Sequence, residues 1–151
     1  MNLEHLNILL ADDDGDDCLF FKEALGGFVL STHLTTVPNG EHLMHLLINK
    51  TNKLPDVLFL DLNMPRKNGF ECLLEIKENT QLKNLSVVIF STSFEQEVVN
   101  TLYKNGAQHF IRKPSEFSQF KKIIQQTLTL IAQDNISKPT LENFVVTVQK
   151  I

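Results

Sequence analysis

Short apolar runs alternate along this chain with stretches in which apolar residues recur at helical spacing. Leu6-Asn7-Ile8-Leu9-Leu10-Ala11 predicts a strand over about 6–12. Leu19, Phe20, Glu23, Ala24 and Leu25 then fall on one helical face and predict a helix over about 16–26. Asp14 or Asp16 suits its cap, Asp16 and Asp17 suit the positive end of its dipole, and Gly26-Gly27 ends it. The β-branched but polar Ser31-Thr32-His33-Leu34-Thr35-Thr36-Val37 reads as an edge strand within about 29–37, and a helix follows at about 40–49. A strand at about 56–61 is apolar throughout, which expects burial on both faces in the middle of a parallel sheet. Helix, strand, helix, strand and helix follow at about 69–79, 86–91, 95–105, 108–112 and 115–132. Five such units predict an α/β fold with a parallel sheet.

A length of 151 residues is enough for one cored domain, and the 42% apolar and 21% charged composition is that of a globular protein. The expected division is one domain over 1–133 and a C-terminal extension over 134–151. In that extension Ser137-Lys138-Pro139-Thr140 reads as a linker and Phe144-Val145-Val146-Thr147-Val148 as a short strand. From Asn143 to Ile151 the tail has three options: an added edge strand, pairing with a second chain, or mobility. Packing on the domain is the expectation. A net charge of -4 argues against a nucleic-acid binder. No apolar stretch approaches the length of a membrane span, and Met1-Asn2-Leu3-Glu4-His5 is unlike a signal peptide, so the expectation is a cytoplasmic protein without membrane partners. Cys18 and Cys72 sit in helical patterns and are expected to be reduced thiols.

The chemistry gathers where the strands end. The first strand runs into Asp12-Asp13-Asp14, the third into Asp61, the fourth into Ser91-Thr92-Ser93 and the fifth into Arg112-Lys113-Pro114. In an open parallel sheet this edge binds ligands. Asp12, Asp13 and Asp61 offer oxygen ligands to a hard cation such as Mg²⁺ or Mn²⁺. An aspartate can accept a phosphoryl group, with a hydroxyl (Ser91) and an ammonium (Lys113) to hold its oxygens. Each residue alone has a plainer reading as a helix cap, a turn residue or a solvated charge. Their convergence on one sheet edge favours a single phosphoryl site.

These residues carry a resemblance to the receiver domain of two-component response regulators. The matching pieces are Ile8-Leu9-Leu10-Ala11-Asp12-Asp13-Asp14, Leu58-Phe59-Leu60-Asp61-Leu62-Asn63-Met64-Pro65, Asn68-Gly69, Val88-Ile89-Phe90-Ser91 and Lys113-Pro114, in matching order and spacing over about 5–132. The resemblance implies a (βα)5 flavodoxin-like sheet, doubly wound, with strand order 2-1-3-4-5. It implies Asp61 as phosphoacceptor, Asp13 as direct metal ligand, Asp12 acting through water, and the Asn63 backbone carbonyl as a further ligand. Ser91 takes the switch hydroxyl position, Phe110 the switch-aromatic position, and Lys113 pairs with Asp61 or its phosphate ahead of a cis bond to Pro114. Thr92 stands where the family often has alanine, and Asn63 and Ser93 flank the path of hydrolytic water.

The function so implied is signalling. A histidine kinase or histidine phosphotransfer protein phosphorylates Asp61 with Mg²⁺ or Mn²⁺, and the conformational change alters binding of a protein target through about 95–132. Homodimerisation is left open, and only the chain's own phosphorylation and dephosphorylation are catalysed. No second domain is expected after the receiver. Three rival readings exist. A phosphate-independent scaffold is disfavoured by the intact Asp13, Asp61 and Lys113 set. An aspartate-nucleophile phosphotransferase needs a second acid where Asn63 stands. A flavin carrier needs a hydroxyl-rich phosphate loop where this chain is acidic.

Overall fold

The computed structural model describes residues 5–49, 53–133 and 139–148. Six strands, β1 (His5–Ala11), β2 (Ser31–Val37), β3 (Val57–Leu60), β4 (Val87–Ser91), β5 (His109–Arg112) and β6 (Val145–Val146), form one sheet in the order β2-β1-β3-β4-β5-β6. All pairings are parallel. Helices α1 (Gly15–Ala24), α2 (Gly40–Ile48), α3 (Gly69–Glu78), α4 (Gln96–Lys104) and α5 (Phe117–Ala132) connect the first five strands and follow the fifth. The expected order 2-1-3-4-5 is present, with one more strand on its far edge.

The apolar strands are continuous in sequence but divided in space. Ile8, Leu10, Val57, Phe59, Val88, Phe90 and Ile111 join the core on the α1/α5 face. Leu9, Ala11, Leu58, Leu60, Val87, Ile89 and Phe110 join the core on the α2/α3/α4 face. The period of two is therefore preserved, and both faces are covered, so neither phase is polar. On the α1/α5 side, Phe21, Phe59, Phe90 and Phe120 pack edge to face, with centroids 4.9–6.2 Å apart. Phe59 and Phe90 in this cluster stand two residues and one residue before Asp61 and Ser91 at the strand ends.

Caps fix where the helices begin. Asp14, rather than Asp16, caps α1: its carboxylate accepts from the Asp16 and Asp17 backbone N–H groups. Asn68 and Glu71 form a capping box on α3. Gly69 follows that cap because nothing larger fits. A Cβ there would lie 2.2 Å from the Asp61 carbonyl oxygen. The start of α3 thus presses on the backbone of the β3 end.

The C-terminal segment departs from the simple strand expected over Phe144–Val148. Leu141–Phe144 is a short helix, α6, capped by the Thr140 side chain, and only Val145–Val146 pair with β5. The Gln126 side chain donates to the Thr147 carbonyl, which occupies a backbone group that a longer ladder would use. The anticipated alternation holds where it matters: Phe144 and Val146 are buried and Val145 is half-buried. The Phe144 ring lies 5.3 Å from that of Tyr103 on α4, and the Tyr103 hydroxyl donates to the Pro139 carbonyl. Residues 139–148 therefore pack across α4 and β5. The linker reading at Ser137-Lys138 and the last residues of the expected tail lie outside the described residues. Among the described residues, no helix is long and apolar enough to cross a membrane.

Candidate functional site

The sheet register assembles the site. The Asp61 N–H donates to the Ala11 carbonyl, the Asp12 N–H to the Val37 carbonyl, and the Lys113 N–H to the Ser91 carbonyl. Each of these residues thus extends a parallel ladder by one bond past the last paired residue. Their side chains are aimed by the sheet rather than by a loop, which gives a polar constellation a rigid base.

Three carboxylates meet at this edge. Oxygens of Asp12, Asp13 and Asp61 lie within 4.8 Å of one another. Asp12 and Asp61 are buried, and Asp13 is exposed. The Asp14 N–H donates to Asp12 Oδ1 and the Asn63 N–H to Asp61 Oδ1. Burial pushes the Asp61 carboxyl up to about 7, against the pull of the Lys113 ammonium, and the Asp12 charge raises it further. Burial also raises Asp12, although Lys113 opposes it. Crowded acids that resist ionisation together are stabilised by a bound cation. An all-oxygen set with one side open to solvent suits Mg²⁺ or Mn²⁺, ions that retain water and take phosphate oxygens. The residues present therefore fit a divalent metal.

Lys113 forms the expected ion pair with Asp61, but its shorter contacts are with Asp12 and Asp17. Its Nζ donates to Asp12 Oδ2 at 2.7 Å and to Asp17 Oδ2 at 2.9 Å, whereas Asp61 Oδ2 is 3.7 Å away. Its side chain is 5% exposed and its ammonium lies 5.0 Å from the centre of the Phe90 ring. Burial alone would lower its pKa, but the hydrogen bonds and charges of Asp12, Asp17 and Asp61 outweigh it and raise the pKa well above the ordinary lysine value. The ammonium therefore stays charged. In the sequence Asp17 shows only as a helix-dipole acid. Its pairing with a residue 96 positions away had no local signal.

The remaining expected residues are distributed as follows. Ser91 is fully buried at the end of β4, with its Oγ 3.3 Å from the Ser93 hydroxyl. Thr92, Ser93 and Asn63 are exposed at the mouth. Phe110 is 1% exposed and meets Phe94 edge-on at 5.7 Å. The ring thus occupies the inward, buried position in this conformation. No described peptide bond is cis, which corrects the cis Lys113–Pro114 bond implied by the resemblance. The bond has the trans form that X–Pro favours by about 0.5–1 kcal/mol in the absence of specific contacts. The cysteines are free. Cys72 is buried and Cys18 half-buried, and burial pushes both thiols up to about 11.

The family model described as "Response regulator receiver domain" matches residues 8–125. The chain belongs to the response regulator receiver family. The response regulator Rcp1 of Synechocystis sp. is 30% identical to this receiver over 122 residues, covering 78% of this chain and 83% of that one. The two-component response regulator ARR17 of Arabidopsis thaliana is 31% identical over 129 residues, covering 80% and 83%. The crystal structure of the Mn²⁺-bound form of Rcp1 superimposes with a TM-score of 0.79 at 27% identity, over 89% of this chain and 99% of that one. That of the phosphorylated cyanobacterial phytochrome response regulator RcpA gives 0.78 at 30%, over 90% and 99%. The receiver is accordingly a phosphoacceptor signalling protein of the two-component class, with the flavodoxin-like sheet of its relatives. Its acidic cluster is consistent with a divalent metal site.

Proposed function

We propose that Asp61 is the phosphoacceptor of this receiver and that Asp12, Asp13 and Asp61, with the Asn63 backbone carbonyl, hold Mg²⁺ or Mn²⁺ beside it. One observation carries the reading. A buried carboxylate at the end of a central strand has two more carboxylates within 4.8 Å and a charged ammonium 3.7 Å away. In the ionised state, an Asp61 Oδ attacks the phosphorus of a phosphohistidine. The O–P bond forms as the N–P bond breaks, and the electron pair returns to the imidazole of the donor. A bound divalent ion would offset charge on the phosphoryl oxygens. Lys113 is already charged and within one short movement of Asp61, so it can pair with a transferred phosphoryl oxygen. Ser91 supplies the hydroxyl that can follow it.

The chain then catalyses its own phosphorylation and the hydrolysis of the Asp61 acyl phosphate, which releases inorganic phosphate and restores the carboxylate, with Asn63, Thr92 and Ser93 bordering the approach of water. The donor is a histidine kinase or a histidine phosphotransfer protein, which implies a cytoplasmic location. The receiver proper spans 1–133, with 134–151 as its extension. The target reads the face formed by about 95–132, part of which residues 139–148 overlie. Ser91 and Phe110 relay the phosphoryl state to that face. Borohydride reduction of the phosphorylated protein tests the acceptor, because it converts an acyl phosphate to an alcohol. Peptide mass mapping is expected to find the reduced residue at position 61, and reduction at any other aspartate would overturn the assignment.

A further inference from the structure

Lys113 has three N–H donors, and two are spent on Asp12 and Asp17. Its side chain is almost fully buried, and the ammonium is confined over the Phe90 ring. Among the described residues its hydrogen-bond and ion-pair partners are the carboxylates of Asp12, Asp17 and Asp61. Two of those, Asp12 and Asp61, belong to the three-acid cluster that fits a divalent ion. Asp17 does not. It stands in the first turn of α1, where its N–H is tied to Asp14, and its side chain is 20% exposed.

From this we infer that Asp17 is a positioning residue: it holds the Lys113 ammonium aside, so that the lysine does not compete with the divalent cation for Asp12 and Asp61. Without Asp17, the ammonium has only the cluster acids to pair with. A cation entering the site must then displace it from them and sit beside it. With Asp17 in place, Lys113 retains a full ion pair while Asp12 and Asp61 turn to the metal, and it remains close enough to meet a phosphoryl oxygen afterwards. The inference rests on the proposed metal and acceptor roles, and its test separates the two.

Mn²⁺ and Mg²⁺ binding is measured by calorimetry on the full chain for wild type, Asp17→Asn and Asp16→Asn. Asp16 carries the same charge in the same helical turn but has no contact with Lys113 among the described residues. Asp17→Asn is expected to weaken divalent binding about fivefold, the weight of one partly buried ion pair. Asp16→Asn is expected to leave binding unchanged. Phosphorylation by acetyl phosphate should show the same shift in metal half-saturation, with the rate at saturating Mg²⁺ within about twofold of wild type. In a Lys113→Met background, Asp17→Asn should weaken binding no more than Asp16→Asn does, because there is no ammonium left to hold aside. Circular dichroism checks each fold, and Asp17→Ser takes the place of Asp17→Asn if the latter does not fold. Equal effects of the two aspartate variants, unchanged binding in Asp17→Asn, or a loss that persists without Lys113 would each overturn the inference. Failure of wild type itself to bind the ions would instead overturn the metal reading beneath it.

Discussion

At the scale of single residues, the site carries a stability cost of its own. Asp61 lies among like charges in a buried setting, and its carboxyl is pushed up from 3.8 to about 7. The metal-free fold therefore holds that proton more tightly than the unfolded chain does. A group whose folded pKa lies above its unfolded value costs stability as pH rises between the two, here from about 4 to about 7. Asp61→Asn removes the cost and relieves Asp12 as well, while Lys113 keeps Asp12 and Asp17 as partners. In chelator, the variant is expected to be more stable than wild type at pH 8 by on the order of 2 kcal/mol. The difference should shrink toward pH 4. Urea unfolding across that range measures it, and a destabilised variant at pH 8 would contradict the charge-crowding account. Saturating Mg²⁺ should narrow the gap by stabilising only the protein that retains Asp61.

Among elements, the decisive contacts join pieces distant in sequence. The α3 start presses on the Asp61 backbone through Gly69, where an added Cβ would meet the Asp61 carbonyl oxygen at 2.2 Å. Gly69→Ala should therefore cost about 1–3 kcal/mol and displace the end of β3, lowering the phosphorylation rate along with stability. Thermal melting and adduct kinetics on that variant check both effects. The C-terminal segment is the second such contact. His109 on β5 lies with Nδ1 3.3 Å from the Phe144 carbonyl, and burial holds its pKa below 6.5. A histidine kept neutral by the fold contributes stability that is present above pH 6.5 and lost as pH falls from there toward its folded pKa. Because the Asp61 carboxyl acts in the opposite direction over the same range, the test is a difference: as pH drops below about 6.5 the melting temperature of wild type is expected to fall relative to that of His109→Asn. Phe144→Ala, which empties a fully buried ring position, should cost about 3 kcal/mol. A cost near zero would mean that residues 139–148 do not hold the α4–β5 face in solution.

At the scale of the whole molecule, the sheet was legible because its signals are local. Continuous apolar runs, helical spacing and strand-end acids are each read within a few residues, and their repetition determines a parallel sheet with its polar strand ends on one edge. Asp12, Asp13, Asp61 and Lys113 were found by that logic, and they do converge. What local signals could not convey was pairing across the fold. Asp17 looked like one of several acids at a helix start, and only the assembled sheet brings it to Lys113. The short helix Leu141–Phe144 was also hidden, since alternation in Phe144-Val145-Val146-Thr147-Val148 suggests a strand and the Thr140 cap is a weak signal. The inward position of Phe110 depends on Phe94 and the neighbouring core, which no reading of a single strand supplies.

A working phosphoryl site with Asp61 as acceptor is the proposal on which the mechanism rests. Intact-protein mass spectrometry after incubation with acetyl phosphate tests it most directly, with Mg²⁺ or with chelator, beside Asp61→Asn. One phosphoryl adduct is expected on wild type, requiring Mg²⁺ and absent from the variant. A folded wild-type protein that takes no adduct, or an adduct that survives in Asp61→Asn, would contradict it.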